Sequence, residues 1–151
     1  MSSDEGRGPV AFELTAEIEI DAPAEMVWRS LTEDIGSWWP HSFSAEPKIT
    51  LEAWVGGRFW EEFGDAAGGA LYGLVTYLRP GAELTVSGAM GMRGARQYVK
   101  TYTLEASGSG TRVRTVASVL GDISDETRAG YEAGGVEVLE RLKAFTETAS
   151  G

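Results

Sequence analysis

From Lys48 to Leu120 the chain repeats one pattern three times: a run rich in Val, Thr, Tyr and Phe, a glycine-bearing turn, and a second such run. KITLEAWV turns at Gly56-Gly57 into RFWEEF, ALYGLVTYL turns at RPGAE into LTVSG, and RQYVKTYTLEA turns at SGSG into TRVRTVASVL. Short runs of this composition joined by glycine turns are hairpins. Connections this short leave no room for crossover helices, so these six strands are antiparallel. A seventh precedes them in FELTAEIEI, where Phe12, Leu14, Ala16, Ile18 and Ile20 alternate with Glu13, Thr15, Glu17 and Glu19. That period of two marks a half-buried strand.

Helical signals flank the hairpins. In DAPAEMVWRSL, Pro23 suits a first turn, Asp21 and Glu25 favour its positive end, and Val27, Trp28 and Leu31 share a face. A second short helical or turn segment near Glu33 to Trp38 stops before Pro40. After an N-cap at Ser124, the residues Tyr131, Gly135, Val138, Leu139, Leu142 and Phe145 form one stripe on a helix of about six turns. One amphipathic helix and one half-polar sheet bury their apolar faces most economically against each other. The expectation is an α+β domain, 11–148, with a seven-stranded curved antiparallel sheet wrapped around the C-terminal helix and two short helices after the first strand. Residues 1–10 read as a disordered lead-in.

Composition narrows function. A formal charge of −10 disfavours a grip on nucleic acid or on anionic lipid. The chain has no cysteine, hence no disulfide, thiolate nucleophile or Cys-ligated metal. No segment looks like a secretory signal or approaches the ~20 apolar residues of a membrane span, so a cytoplasmic location is expected. GAMGMRG lacks the spacing and setting of a dinucleotide loop, and no metal site or cofactor is expected.

Five stretches, IEIDAPAEMVWRSLTEDIGSWWP, VGGRFWEEF, YGLVTYLRPGAELTV, TLEASGSGTRVRTVASVLG and YEAGGVEVLERLKAF, together resemble the START-like (SRPBCC) superfamily with its helix-grip fold. The nearest likeness is to the branch homologous to activators of the heat-shock-chaperone ATPase. The resemblance implies a hydrophobic cavity between sheet and terminal helix, and no single activity. Relatives commonly carry tryptophan where this chain has Gly88, and a large aromatic where it has Val136. Such losses either enlarge a cavity or are refilled by neighbours such as Met90 and Met92.

The candidate cavity residues follow from position and chemistry. Trp38 and Trp39 are expected to close one end of the sheet, one packing on the core and the other towards the entrance or under the following loop, either as structural caps or as an aromatic gate with Phe43 and Trp54 nearby. His41, the sole histidine, has no partner identifiable by spacing for catalysis or metal binding. In RFWEEF, Phe59 and Glu61 share the face better suited to burial; a buried, unpaired Glu61 would have a raised pKa and the character of a general acid. In YVKTYTL, Tyr98, Lys100 and Tyr102 share a face. Lys100 then either pairs with Glu61, reaches water at a strand end, or is turned outward by a bulge. Tyr72, Tyr77, Tyr98 and Tyr102 either supply phenolic hydroxyls to a ligand or are core residues with those groups satisfied, and Tyr131 on the helix stripe is a further cavity candidate. Gly134-Gly135 weakens its helix in exchange for close approach to the sheet or for ligand room.

Three functions fit these residues: binding of a small lipid-like or polyketide-like ligand; a cyclase- or dehydratase-like enzyme using Glu61, Lys100 or a tyrosine; and, by resemblance alone, a chaperone-contacting interaction module. A homodimer is compatible with each.

Overall fold

The chain runs β1 (Val10–Ile20), α1 (Ala24–Leu31), a 3-10 turn (Ile35–Ser37), β2 (Lys48–Leu51), β3 (Arg58–Glu62), β4 (Gly69–Arg79), β5 (Glu83–Gly88), β6 (Arg96–Ser107), β7 (Gly110–Gly121) and α2 (Asp125–Ser150). The computed structural model describes residues 8–65 and 67–150. The strands form one antiparallel sheet in the order β1-β7-β6-β5-β4-β3-β2, curved around α2 as expected of a helix-grip α+β fold. Residues 1–7 of the expected lead-in lie outside the described residues, while Val10 already pairs with Gly121.

Each hairpin forms where its glycine turn falls. The second short helical segment is a single 3-10 turn, and α2 has 26 residues, about seven turns. Ser124 caps α2 by accepting a hydrogen bond from Thr127 N at 3.1 Å. The stretch KITLEAWV is strand only to Leu51. Beyond it, Gly56 N donates to Val75 O and Val75 N to Gly57 O, so residues 52–57 loop back onto β4.

Two register shifts shape the sheet, one between Phe59 and Trp60 and one between Val75 and Tyr77. β1, β6 and β7 pair without a shift, so strict alternation holds there. The core lies between the inner sheet face and the C-terminal half of α2, where Val138, Leu139 and Leu142 meet Val27, Leu31, Leu84 and Val113. Burial of side chains this size contributes roughly 1.5–3 kcal/mol each. Polar ties lock the same end: Lys143 Nζ donates to Glu19 O at 2.7 Å and Asp21 N to Glu147 at 2.8 Å. Among the described residues no helix is long and apolar enough to cross a membrane.

Candidate functional site

The N-terminal half of α2 carries a different face from the half that fills the core. Thr127, Gly130, Tyr131, Gly134, Gly135 and Val138 recur at the three-to-four spacing of one helical stripe, and all six line a cavity of about 390 Å³ between α2 and the sheet. Where the other half presents leucines, this stripe presents glycines, and space remains. A Cβ built on Gly135 or Gly130 meets nothing within 4 Å. On Gly134 it would come within 3.3 Å of His41 Nε2. The glycine pair therefore leaves room beside the helix; at Gly135 no close approach to the sheet requires it.

The opposite wall comes from the sheet and its loops. Tyr98 and Lys100 of β6, Tyr72 of β4, Met90 after β5, and Trp39 line the cavity, with His41, Ser42 and Phe43 also in its lining. A smaller void of about 10 Å³ adjoins it, sharing Met90, Tyr98 and Lys100 and adding Phe59 and Tyr102. Tyr131 spans towards β6: its ring lies 5.4 Å from that of Tyr98, and its hydroxyl accepts from Arg96 at 3.1 Å.

The adjacent tryptophans divide the work between them. Trp38 is buried, and its indole N–H donates to Ser30 O at 2.7 Å, which fixes it as part of the core. Trp39 turns the other way and packs edge-on against Phe59, with ring centroids 5.0 Å apart. It also contacts His41 at 5.9 Å and Tyr72 at 6.2 Å. His41 sits at the edge of the cavity, its Nε2 3.8 Å from Glu137.

Glu61 is fully buried, at 0% exposure, and faces inward with Phe59. It is not the raised-pKa acid that burial alone would make. Phe43 N and Tyr72 OH donate to Oε1 at 2.8 and 2.6 Å, and Ser44 N and Ser44 Oγ donate to Oε2 at 2.9 and 2.8 Å. Burial is the largest single influence and pushes the carboxyl up, but these four hydrogen bonds together outweigh it and hold the pKa below the ordinary value. Glu61 does not line the cavity. It ties the 43–44 loop to the sheet, and the same bond with burial drives the Tyr72 phenol upward.

Lys100 has no such company. Because β6 keeps register with both neighbours, period two places Lys100 inward between Tyr98 and Tyr102. The side chain is 5% exposed. Among the described residues its ammonium has no hydrogen bond or ion pair, and of the alternatives open to it the pair with Glu61 does not form, because the Glu61 oxygens are taken by the loop and Tyr72. The Tyr102 ring lies beneath it, 5.0 Å from Nζ to the centroid. Burial pulls its pKa down to about 8.

Trp54 and Tyr77 do not join the site. Trp54 sits in the 52–57 loop, 59% exposed. Tyr77 would share the inner face with Val75 by period two, but the register shift between them sends it outward, 43% exposed and opposite Thr85. Gly88 adds no room, since a Cβ there would meet the Gly73 backbone at 2.6 Å. Val136 is solvent-exposed, whereas Met90 and Met92 do line the cavity. Sequence reasoning missed Thr127, Gly130 and Val138 as lining residues, although stepping three and four along the helix from Tyr131 and Gly134 reaches all of them. It also missed Ser44, which carries no local signal.

The family model described as polyketide cyclase / dehydrase and lipid transport matches residues 11–147. No curated protein sequence matches the chain. Solved structures share the fold at low identity. An uncharacterized protein from Rhizobium leguminosarum is 19% identical with a TM-score of 0.73, over 93% of this chain and 97% of that one. The Aha1 dimer from Colwellia psychrerythraea is 21% identical with a TM-score of 0.66, over 93% and 99%. CalU16 from Micromonospora echinospora is 20% identical with a TM-score of 0.65, over 89% and 74%.

Proposed function

Because the chain belongs to the polyketide cyclase / dehydrase and lipid transport family, we propose that it binds a small, largely apolar molecule, lipid-like or polyketide-like, in the cavity between the sheet and α2. One observation carries the reading: about 390 Å³ of space walled by aromatic and methionine side chains, on a helix face whose glycines leave it open. Pockets that hold small ligands combine such walls with a few fixed polar groups. Here the polar groups include Lys100 and the phenols of Tyr72, Tyr98 and Tyr131, with His41, Ser42 and Thr127 also in the lining.

Binding is a better account than acid–base catalysis. Glu61, the carboxylate best placed by sequence to act as an acid, is ionised and occupied in holding a loop. Native mass spectrometry before and after denaturing extraction tests the reading, with the extract analysed for small molecules. A stoichiometric apolar compound released on denaturation supports it. A clean apo mass, with no binding of apolar fluorescent probes at micromolar concentration, overturns it.

A further inference from the structure

The cavity's charge is one-sided. Lys100 lines it, and among the described residues no aspartate or glutamate does. Glu137 stands beside it, 3.8 Å from His41 with nearly half its side chain exposed, and Glu61 has both oxygens engaged elsewhere. Sharing the cavity lining or the ladder with Lys100 are Tyr98 and Tyr102 on its own strand, Tyr72 on β4, Tyr131 on α2, Val86 and Ala117 across the ladder, and His41 at the cavity's edge. In a chain of net charge −10, the cavity lining carries, among the described residues, one lysine, no arginine, and His41 at its edge.

A buried ammonium without a partner is unfavourable, and an apolar ligand would desolvate it further. A ligand that brings its own negative charge reverses both effects. We propose that Lys100 Nζ is the anchor for a carboxylate, so the cavity's ligand is an amphipathic organic acid that seats its acid on Lys100 and its apolar body among Trp39, Met90 and Tyr131. This inference rests on the binding reading above and specifies its ligand class.

Naphthoate and naphthylmethanol share one aromatic body and differ in the acid, and their titration against the wild-type protein at neutral pH tests the anchor. The acid should bind about ten- to a hundredfold more tightly than the alcohol, the range of a hydrogen bond to a charged group. In Lys100→Met, which keeps the aliphatic stem, the alcohol should still bind and the preference for the acid should vanish. Equal affinities in wild type overturn the anchor and leave the cavity reading standing. A preference that survives in Lys100→Met places the anion elsewhere and also overturns it. Binding of neither probe sinks both readings. Should Lys100→Met not fold, Lys100→Gln serves the same comparison.

Discussion

The Tyr72 hydroxyl lies 2.6 Å from Glu61 Oε1, a contact between a β4 side chain and a β3 side chain buried beneath the 43–44 loop. It completes a set of four donors on one carboxylate. Phe43, which lines the cavity, is thereby held by its own backbone N–H. A charge that looks catalytic from sequence is structural, and it positions part of the cavity's rim.

Glu61→Gln should destabilise the protein by about 2–3 kcal/mol, because hydroxyls can turn to accept from the new amide but the backbone N–H groups cannot. Tyr72→Phe removes one donor of four and should lose about 1–2 kcal/mol. Urea denaturation of both variants checks the order, and equal losses would contradict it. The pH dependence has a definite sign. The folded pKa of Glu61 is lowered, so its contribution is complete above the ordinary carboxylate range and is lost as pH falls through the folded value. Glu61→Gln should remove that part of the acid sensitivity.

Lys100 gives a rise of the same sign at high pH, from a buried charge that costs stability instead of adding to it. Its folded pKa is lowered to about 8, so the folded state carries the full penalty of the buried charge below that pH. Between about 8 and the ordinary lysine range the unfolded chain holds the extra proton, and stability should rise with pH there. Lys100→Met should be more stable than wild type at neutral pH and should lack this rise. Denaturation midpoints from neutral pH to about pH 10 show either a converging pair of curves or, against the prediction, parallel ones.

The fold was readable because its determinants are local: alternation in FELTAEIEI, glycine turns, and one helical stripe. Period two put Lys100 on the face of Tyr98 and Tyr102, but only the unshifted ladder of β6 excludes the bulge that would have turned it outward. What period two could not see was set by strand pairing. The shift at Val75/Tyr77 turns Tyr77 out, and the bonds from Gly56 and Gly57 to Val75 carry Trp54 to the surface. The partners of Glu61 were hidden too, because Ser44 and Phe43 reach it across a loop some seventeen residues away in sequence.

The two neighbouring indoles should separate in their effects. Trp38→Phe breaks a buried hydrogen bond to Ser30 O and leaves that carbonyl unpaired, at a cost of about 1–3 kcal/mol. Trp39→Leu removes a wall of the cavity and should weaken naphthyl probe binding more than Trp38→Phe does. Melting temperatures and probe titrations on the two variants check this, and a reversed pattern would make Trp38 the cavity residue.

The glycines of α2 allow the sharpest dissection of cavity from scaffold. Gly135→Ala adds a methyl where nothing lies within 4 Å, so the helix gains about 1 kcal/mol of propensity without a clash. Gly134→Ala meets the His41 ring at 3.3 Å, and the gain should shrink because the imidazole must yield. Gly135→Phe keeps part of the helical gain and projects a ring into the space beside Tyr131 and Val138. It should therefore raise or preserve the melting temperature while abolishing probe binding. Loss of binding together with loss of fold would instead mean that the helix face needs its glycines for packing. Intact binding in Gly135→Phe would mean that the ligand does not use this cavity.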